Sequence, residues 1–319
     1  MPEGTQKYRA GPTLVALARG YFAQHGLQVE AVESGGRRHS IPLLAQDKLD
    51  VTLQGPSLEF FRSWNPTRPY LMVADHGSTP AGDGEARGGG IVARPELIES
   101  GRLRDYPDLR GLRIGLSPLR GDHDWLSFEA ALRRGGLTFS DVEVVECDFG
   151  PGRREALKKG TVDLATMGRL QHVIEGRETG AFVVWKFDTE LQAGRQGRTV
   201  VLAYRFWSER PEEARRYVQA YLHALRDYHT AFAYGIQRGA MIELLAEQSG
   251  ESPDNLERDM LPVQLNPDGY VNVEDVARQL QWLASEALLP QPIPVERVVD
   301  HSYLEDALRE MGRYHPPAH

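Results

Sequence analysis

Apolar residues recur three and four positions apart over Thr13–Glu30, where Leu14, Leu17, Ala18, Tyr21 and Phe22 fall on one face of a helix. Gly26 stops that pattern, and the short strand Leu27–Val32 follows at once. The succession repeats downstream as a helix over Ser40–Asp47, an apolar strand at Asp50–Leu53, and a Gly55-Pro56-Ser57 break that starts another helix. Further strands are predicted at Lys7–Ala10, Tyr70–Asp75, Ile91–Ala93, Arg113–Leu116, Val142–Cys147, Asp163–Thr166, Phe182–Lys186 and Thr199–Tyr204. Helices over Asp124–Arg134 and Arg153–Lys159 alternate with them, which implies an α/β chain with right-handed crossovers and mainly parallel sheets. His76–Gly90 is rich enough in glycine to be loop. Pro211 opens a long helix whose Ala214, Tyr217, Val218, Tyr221, Leu222 and Leu225 make one apolar stripe, and helices at Arg238–Ser249, Val273–Glu286 and Ser302–Tyr314 complete a helical C-terminal region. Strand ends that open onto helix starts along one sheet form the crevice in which α/β proteins hold ligands.

Composition narrows the function classes. The chain has 319 residues, 41% of them hydrophobic, and contains no apolar run near the ~20 residues needed to cross a bilayer, so no membrane insertion is expected. Its net charge of -8 argues against a general nucleic-acid binder, which needs a positive surface to displace phosphate counterions. A lone Cys147 leaves no internal disulfide, and its place at the end of an apolar run suits a small buried side chain. The opening MPEGTQKYRA has no apolar export region. That leaves two expectations: a cytoplasmic start at Met1, or an extracytoplasmic protein whose signal was removed. No HExxH, paired-cysteine, GxSxG or P-loop pattern occurs, so neither a metal nor another cofactor is expected.

Four segments, ARGYFAQHGLQVE, AQDKLDVTLQGPS, LRGLRIGLS at Leu109–Ser117 and ALKKGTVDLATMG at Ala156–Gly168, resemble in order and spacing the periplasmic-binding-protein-like family of nitrate-, sulfonate- and taurine-binding proteins. That family also holds enzymes similar to thiamine-pyrimidine synthase and to aromatic sulfinate desulfinase. The resemblance implies a two-lobed type II fold, each lobe a mainly parallel sheet flanked by helices. Lobe 1 would comprise residues 1–90 and 199–319 with the helical cap, lobe 2 residues 91–198, and the hinge would lie near 87–91 and 198–204. A ligand would sit between the lobes, facing strand C-terminal ends and helix starts.

In lobe 1 that geometry selects Gly11, Pro12 and Thr13, then Ser34 and Gly35 with Arg37 and His39, then Gly55, Pro56 and Ser57, and His76 on the following loop. In lobe 2 it selects Ser117, Arg120, Gly121 and Asp122, then Met167 and Arg169, and Trp185, with Arg87 at the mouth. Helix-start amides and a hydroxyl favour an anion, and Arg169 stands where family members often carry an acid. The function expected is a monomeric solute-binding protein that captures a small anionic organic ligand, sulfonate- or carboxylate-like, for an ABC-type transporter permease. The alternative is a cytoplasmic enzyme on the same fold, desulfinase-, decarboxylase- or lyase-like, with His39 or His123 as base beside cleft arginines. Sulfinate desulfinases use a cysteine in the first loop, where this chain has Gly11 or its neighbours, while His39 and the Arg87-Gly88-Gly89-Gly90 run match their histidine and arginine motifs only formally. Thiamine-pyrimidine synthases need a cysteine-rich iron motif, which is missing here.

Overall fold

Pro211 has the fixed φ of a first helical turn, Glu212 and Glu213 meet the positive end of the helix dipole, and Gly235 closes the helix in the left-handed region at φ 75°. The computed structural model accordingly carries an unbroken helix over Pro211–Tyr234. It describes residues 11–32, 37–82, 89–148, 150–168, 176, 179–259 and 264–317, with 37–38 and 258–259 described by backbone alone. The whole predicted stripe of this helix is buried, and Tyr228, Ala231 and Phe232 extend it. Gly11–Ala18, Tyr21–Gln24 and Ser302–Met311 pack against it, so segments far apart in sequence share one core.

The first predicted helix is in fact two, because Gly20 takes φ 69° and turns the chain between Gly11–Ala18 and Tyr21–Gln24. Leu27–Val32 pairs with no strand among the described residues, and the predicted strand Lys7–Ala10 lies outside them. The described strands are β1 (Val51–Gln54), β2 (Leu71–Asp75), β3 (Gly90–Ala93), β4 (Arg113–Leu116), β5 (Glu143–Glu146), β6 (Leu164–Met167), β7 (Val183–Phe187) and β8 (Thr199–Leu202). Beyond β8 the chain bends into a short helix, Tyr204–Glu209, in place of the last residues expected to be strand.

The chain divides into two compact units, Met1–Ser78 with Arg195–His319, and Thr79–Gly194. In the first unit the sheet order is β1-β8-β2, and both outer strands run antiparallel to β8. In the second the order is β5-β4-β6-β3-β7, with β4 parallel to β5 and β6 and with β3 antiparallel to β6 and β7. The expectation of mainly parallel sheets is thus corrected at β3 and β8. A helical crossover returns the chain to the same end of the sheet and makes the next strand parallel. Each of these two strands is instead the first of its unit after the chain arrives from the other, with no crossover helix to turn it round.

Asp75, at the end of β2, is buried and collects Gly77 N–H at 2.8 Å and Gln196 Nε2 at 2.7 Å on Oδ1, and Asn266 N–H at 2.7 Å on Oδ2. Gln196 is 1% exposed. Its Nε2 also donates to Gly77 O and Arg198 O, its Oε1 accepts Asn272 N–H, and its own N–H donates to Asp275 Oδ2. The segment leaving this unit and the segment returning to it are therefore fastened side by side to the start of the helix Val273–Ser285.

Burial pushes the Asp75 carboxyl up to about 6 from an ordinary 3.8, against the donors that favour its charge. The folded state thus holds this proton more tightly than the unfolded chain does. The contribution of Asp75 to stability is greatest below about pH 4 and falls by about 3 kcal/mol as pH rises through 6. Urea unfolding between pH 4 and 7 should show that decline, and Asp75→Asn should flatten it. At Gly11 a Cβ would lie 2.5 Å from the Tyr228 ring inside the core. Gly11→Ala is expected to destabilise the fold by about 1–3 kcal/mol in the same assay.

Candidate functional site

In the first unit, Gln54 at the end of β1 and Asp75 at the end of β2 both lie opposite Thr199, the first residue of β8. One end of the sheet therefore gathers Gly55-Pro56-Ser57, His76 and the segment Gly197-Arg198. Gly55 is required there, because a Cβ would stand 2.0 Å from Gly197 O. Ser57 is buried, and its Oγ accepts Phe60 N–H at 3.2 Å as the N-cap of Leu58–Ser63, so the hydroxyl serves the helix start. Gln54 Nε2 donates to Ser40 Oγ at 2.5 Å, and Thr199 Oγ1 donates to Gln54 O at 2.9 Å. His76 is buried with Nδ1 2.8 Å from Tyr221 Oη. Because Tyr221 gives its proton to Asp75 O at 2.7 Å, it is Nδ1–H of His76 that donates to Tyr221.

The other candidates of this unit separate from that group. Gly11 and Pro12 are buried, with Gly11 pressed against Tyr228, and Thr13 is half-buried in the first turn of the same helix. His39 is exposed on the helix Arg37–Ala45, where Arg37 is described by its backbone only. Ser34 and Gly35 lie outside the described residues, as do Arg87 and Arg169 of the second unit.

In the second unit, the ends of β4, β6 and β7 and the start of β3 lie together, since Gly90 pairs with both Met167 and Phe187. Ser117 follows β4; its N–H donates to Asp124 Oδ2 at 2.5 Å and its Oγ to Asp124 Oδ1 at 3.3 Å. Asp124 is ion-paired with Arg153, which is 1% exposed and donates to Thr166 Oγ1 at 2.6 Å. Burying both charges requires this pairing, which anchors the loop at Ser117. Arg120 is exposed, with its guanidinium 5.3 Å over the ring of Trp125. Gly121 is buried at φ 97°, a value that suits glycine. Asp122 occupies the N-cap position of His123–Arg134 but makes no side-chain cap bond. Asp124 instead turns inward to Arg153. Met167 is a core residue with Val92, Leu157 and Phe182, and therefore presents no side chain to a ligand. Trp185 stacks edge-on against Tyr106 at 5.5 Å, two residues short of the strand end.

His123 is held on both sides. Nδ1 lies 3.1 Å from Ser127 Oγ, and Nε2 lies 3.4 Å from Asp188 Oδ2. Asp188 and Ser127 are absent from the sequence reading, although Asp188 is legible as the acid that ends the apolar run Phe182–Phe187. Among the described residues no group of three or more His, Cys, Asp or Glu is placed to hold a metal ion, and no helix is long and apolar enough to cross a membrane.

Residues 8–58 match the family model described as NMT1/THI5 like. No curated protein matches the chain by sequence. Among solved structures, the periplasmic sulfonate-binding protein SsuA from Methylobacillus flagellatus KT aligns with a TM-score of 0.70 and 20% identity over 97% of this chain and 92% of its own. The periplasmic nitrate-binding protein NrtA from Synechocystis PCC 6803 aligns at 0.66 and 11% identity over 95% and 86%. The desulfurization enzyme DSZB aligns at 0.60 and 17% identity over 94% and 96%. The family resemblance in the sequence and these structural likenesses converge: the chain has the type II periplasmic-binding-protein fold.

Proposed function

We propose that this protein binds a small anionic organic solute, sulfonate- or carboxylate-like, and hands it to an ABC-type transporter. One observation carries the reading: in each unit, polar groups stand at the sheet end where α/β folds hold ligands, His76 in the first and Ser117 and Arg120 in the second. The fold is shared with sulfonate- and nitrate-binding proteins.

The enzymatic alternative fares worse on geometry. A nucleophile at position 11 would collide with Tyr228. Burial pushes the Cys147 thiol up, away from the reactive thiolate.

A thermal-shift screen of alkanesulfonates, nitrate and aromatic carboxylates tests the reading, since a ligand that binds only the folded state at a hundred times its Kd adds about 2.7 kcal/mol. A sulfonate or carboxylate should give the largest shift, and Arg120→Ala should weaken it roughly tenfold without lowering the Tm of the free protein. If Arg120→Ala and Arg169→Ala both leave the affinity of the best hit unchanged, the anion assignment is wrong.

A further inference from the structure

Two histidines of the first unit, His25 and His223, meet where the short helix Tyr21–Gln24 packs on Pro211–Tyr234, and neither belongs to the sheet-end group. His25 ends the short helix; its N–H bonds Tyr21 O and Phe22 O, both at 3.1 Å, and its own O accepts Arg216 Nη1 at 3.4 Å. His223 stands in the middle of the long helix between the buried Leu222 and Ala224. The stacked rings of Phe22 and Tyr217, 4.9 Å apart, lock the two helices together. The two imidazoles therefore face each other from fixed backbones, with ring centroids 5.6 Å apart and planes inclined by 41°. The Tyr21 ring flanks His223 at 5.5 Å, and its hydroxyl is tied to Asp227, which also pairs with Arg19.

Both rings are half-buried, neither makes a hydrogen bond among the described residues, and none of their nitrogens is sealed from water. Burial and the neighbouring His25 ring hold His223 below the usual imidazole value, so at neutral pH it carries the lone pair a metal ion needs. Two imidazoles that share one ion through bonds of about 2.0–2.1 Å have ring centres roughly 4.5–6 Å apart, the spacing seen here. Imidazole suits copper, zinc and nickel, and of the first-row divalent ions copper(II) is bound most tightly. We propose that His25 and His223 form a two-nitrogen site for copper(II) that fastens Tyr21–Gln24 to the long helix. No third His, Cys, Asp or Glu joins them among the described residues, so water completes the coordination. The site does not depend on the solute-binding reading.

Titration of the full chain with copper(II) chloride at about pH 7.5, where imidazole is neutral, tests the proposal. Copper should raise the Tm, because only the folded chain brings the two rings together. Its electron paramagnetic resonance spectrum should show coupling to two imidazole nitrogens. His25→Asn and His223→Asn should each lower the affinity at least about tenfold and leave coupling to one nitrogen. Replacing the C-terminal pair, His315→Asn with His319→Asn, should leave the rise in Tm intact. No binding by the unmodified protein, a rise in Tm lost with the C-terminal pair, or affinity that survives in both single variants overturns the assignment. Should neither single variant fold, copper must broaden the nuclear magnetic resonance signals of His25 and His223 in the unmodified protein, and broadening confined to other histidines overturns it.

Discussion

One buried amide governs how this chain can be laid out. The chain leaves its first unit after Ser78 and re-enters it at Arg195, and Gln196 ties both places to Asp75, Asp275 and Asn272 with every polar side-chain atom bonded. A side chain so fully satisfied away from water is worth more than its individual bonds, because losing any partner leaves a desolvated group unmatched. The positions of Gly55, His76 and Arg198 at the sheet end follow from this fastening. The return segment passes so close that only glycine fits at position 55.

The second unit solves the matching problem with charge. Arg153 is among its most buried large side chains, and it reaches both Asp124 and Thr166, so the loop at Ser117 is braced from inside. Such a pair stabilises little on balance but is costly to break. Asp188 accepts the Ser127 hydroxyl at 3.1 Å and has His123 Nε2 3.4 Å away.

Much of the framework was legible in the sequence because its signals are local. Strand Arg113–Leu116 and helix Arg238–Ser249 match their predicted bounds, and the apolar stripe from Ala214 to Leu225 is the one buried. The break at Gly20 was hidden by apolar periodicity that continues across it. The antiparallel placement of β8 depends on partners more than a hundred residues away, which no window of sequence reveals. For the same reason Gln196 and Asp188 carry no motif, while Ser57 was found because capping is decided within one turn. Met167 was selected by its place after a strand, yet strand alternation directs its side chain into the core.

The sheet order of the first unit has a consequence for synthesis. Because β8 lies between β1 and β2, neither early strand has its neighbour until residue 202 has been made. The second unit, continuous from Thr79 to Gly194, is complete before then. On the ribosome the inserted half can therefore mature while the enclosing half still waits, with its strand edges unpaired, for a single later strand to join them.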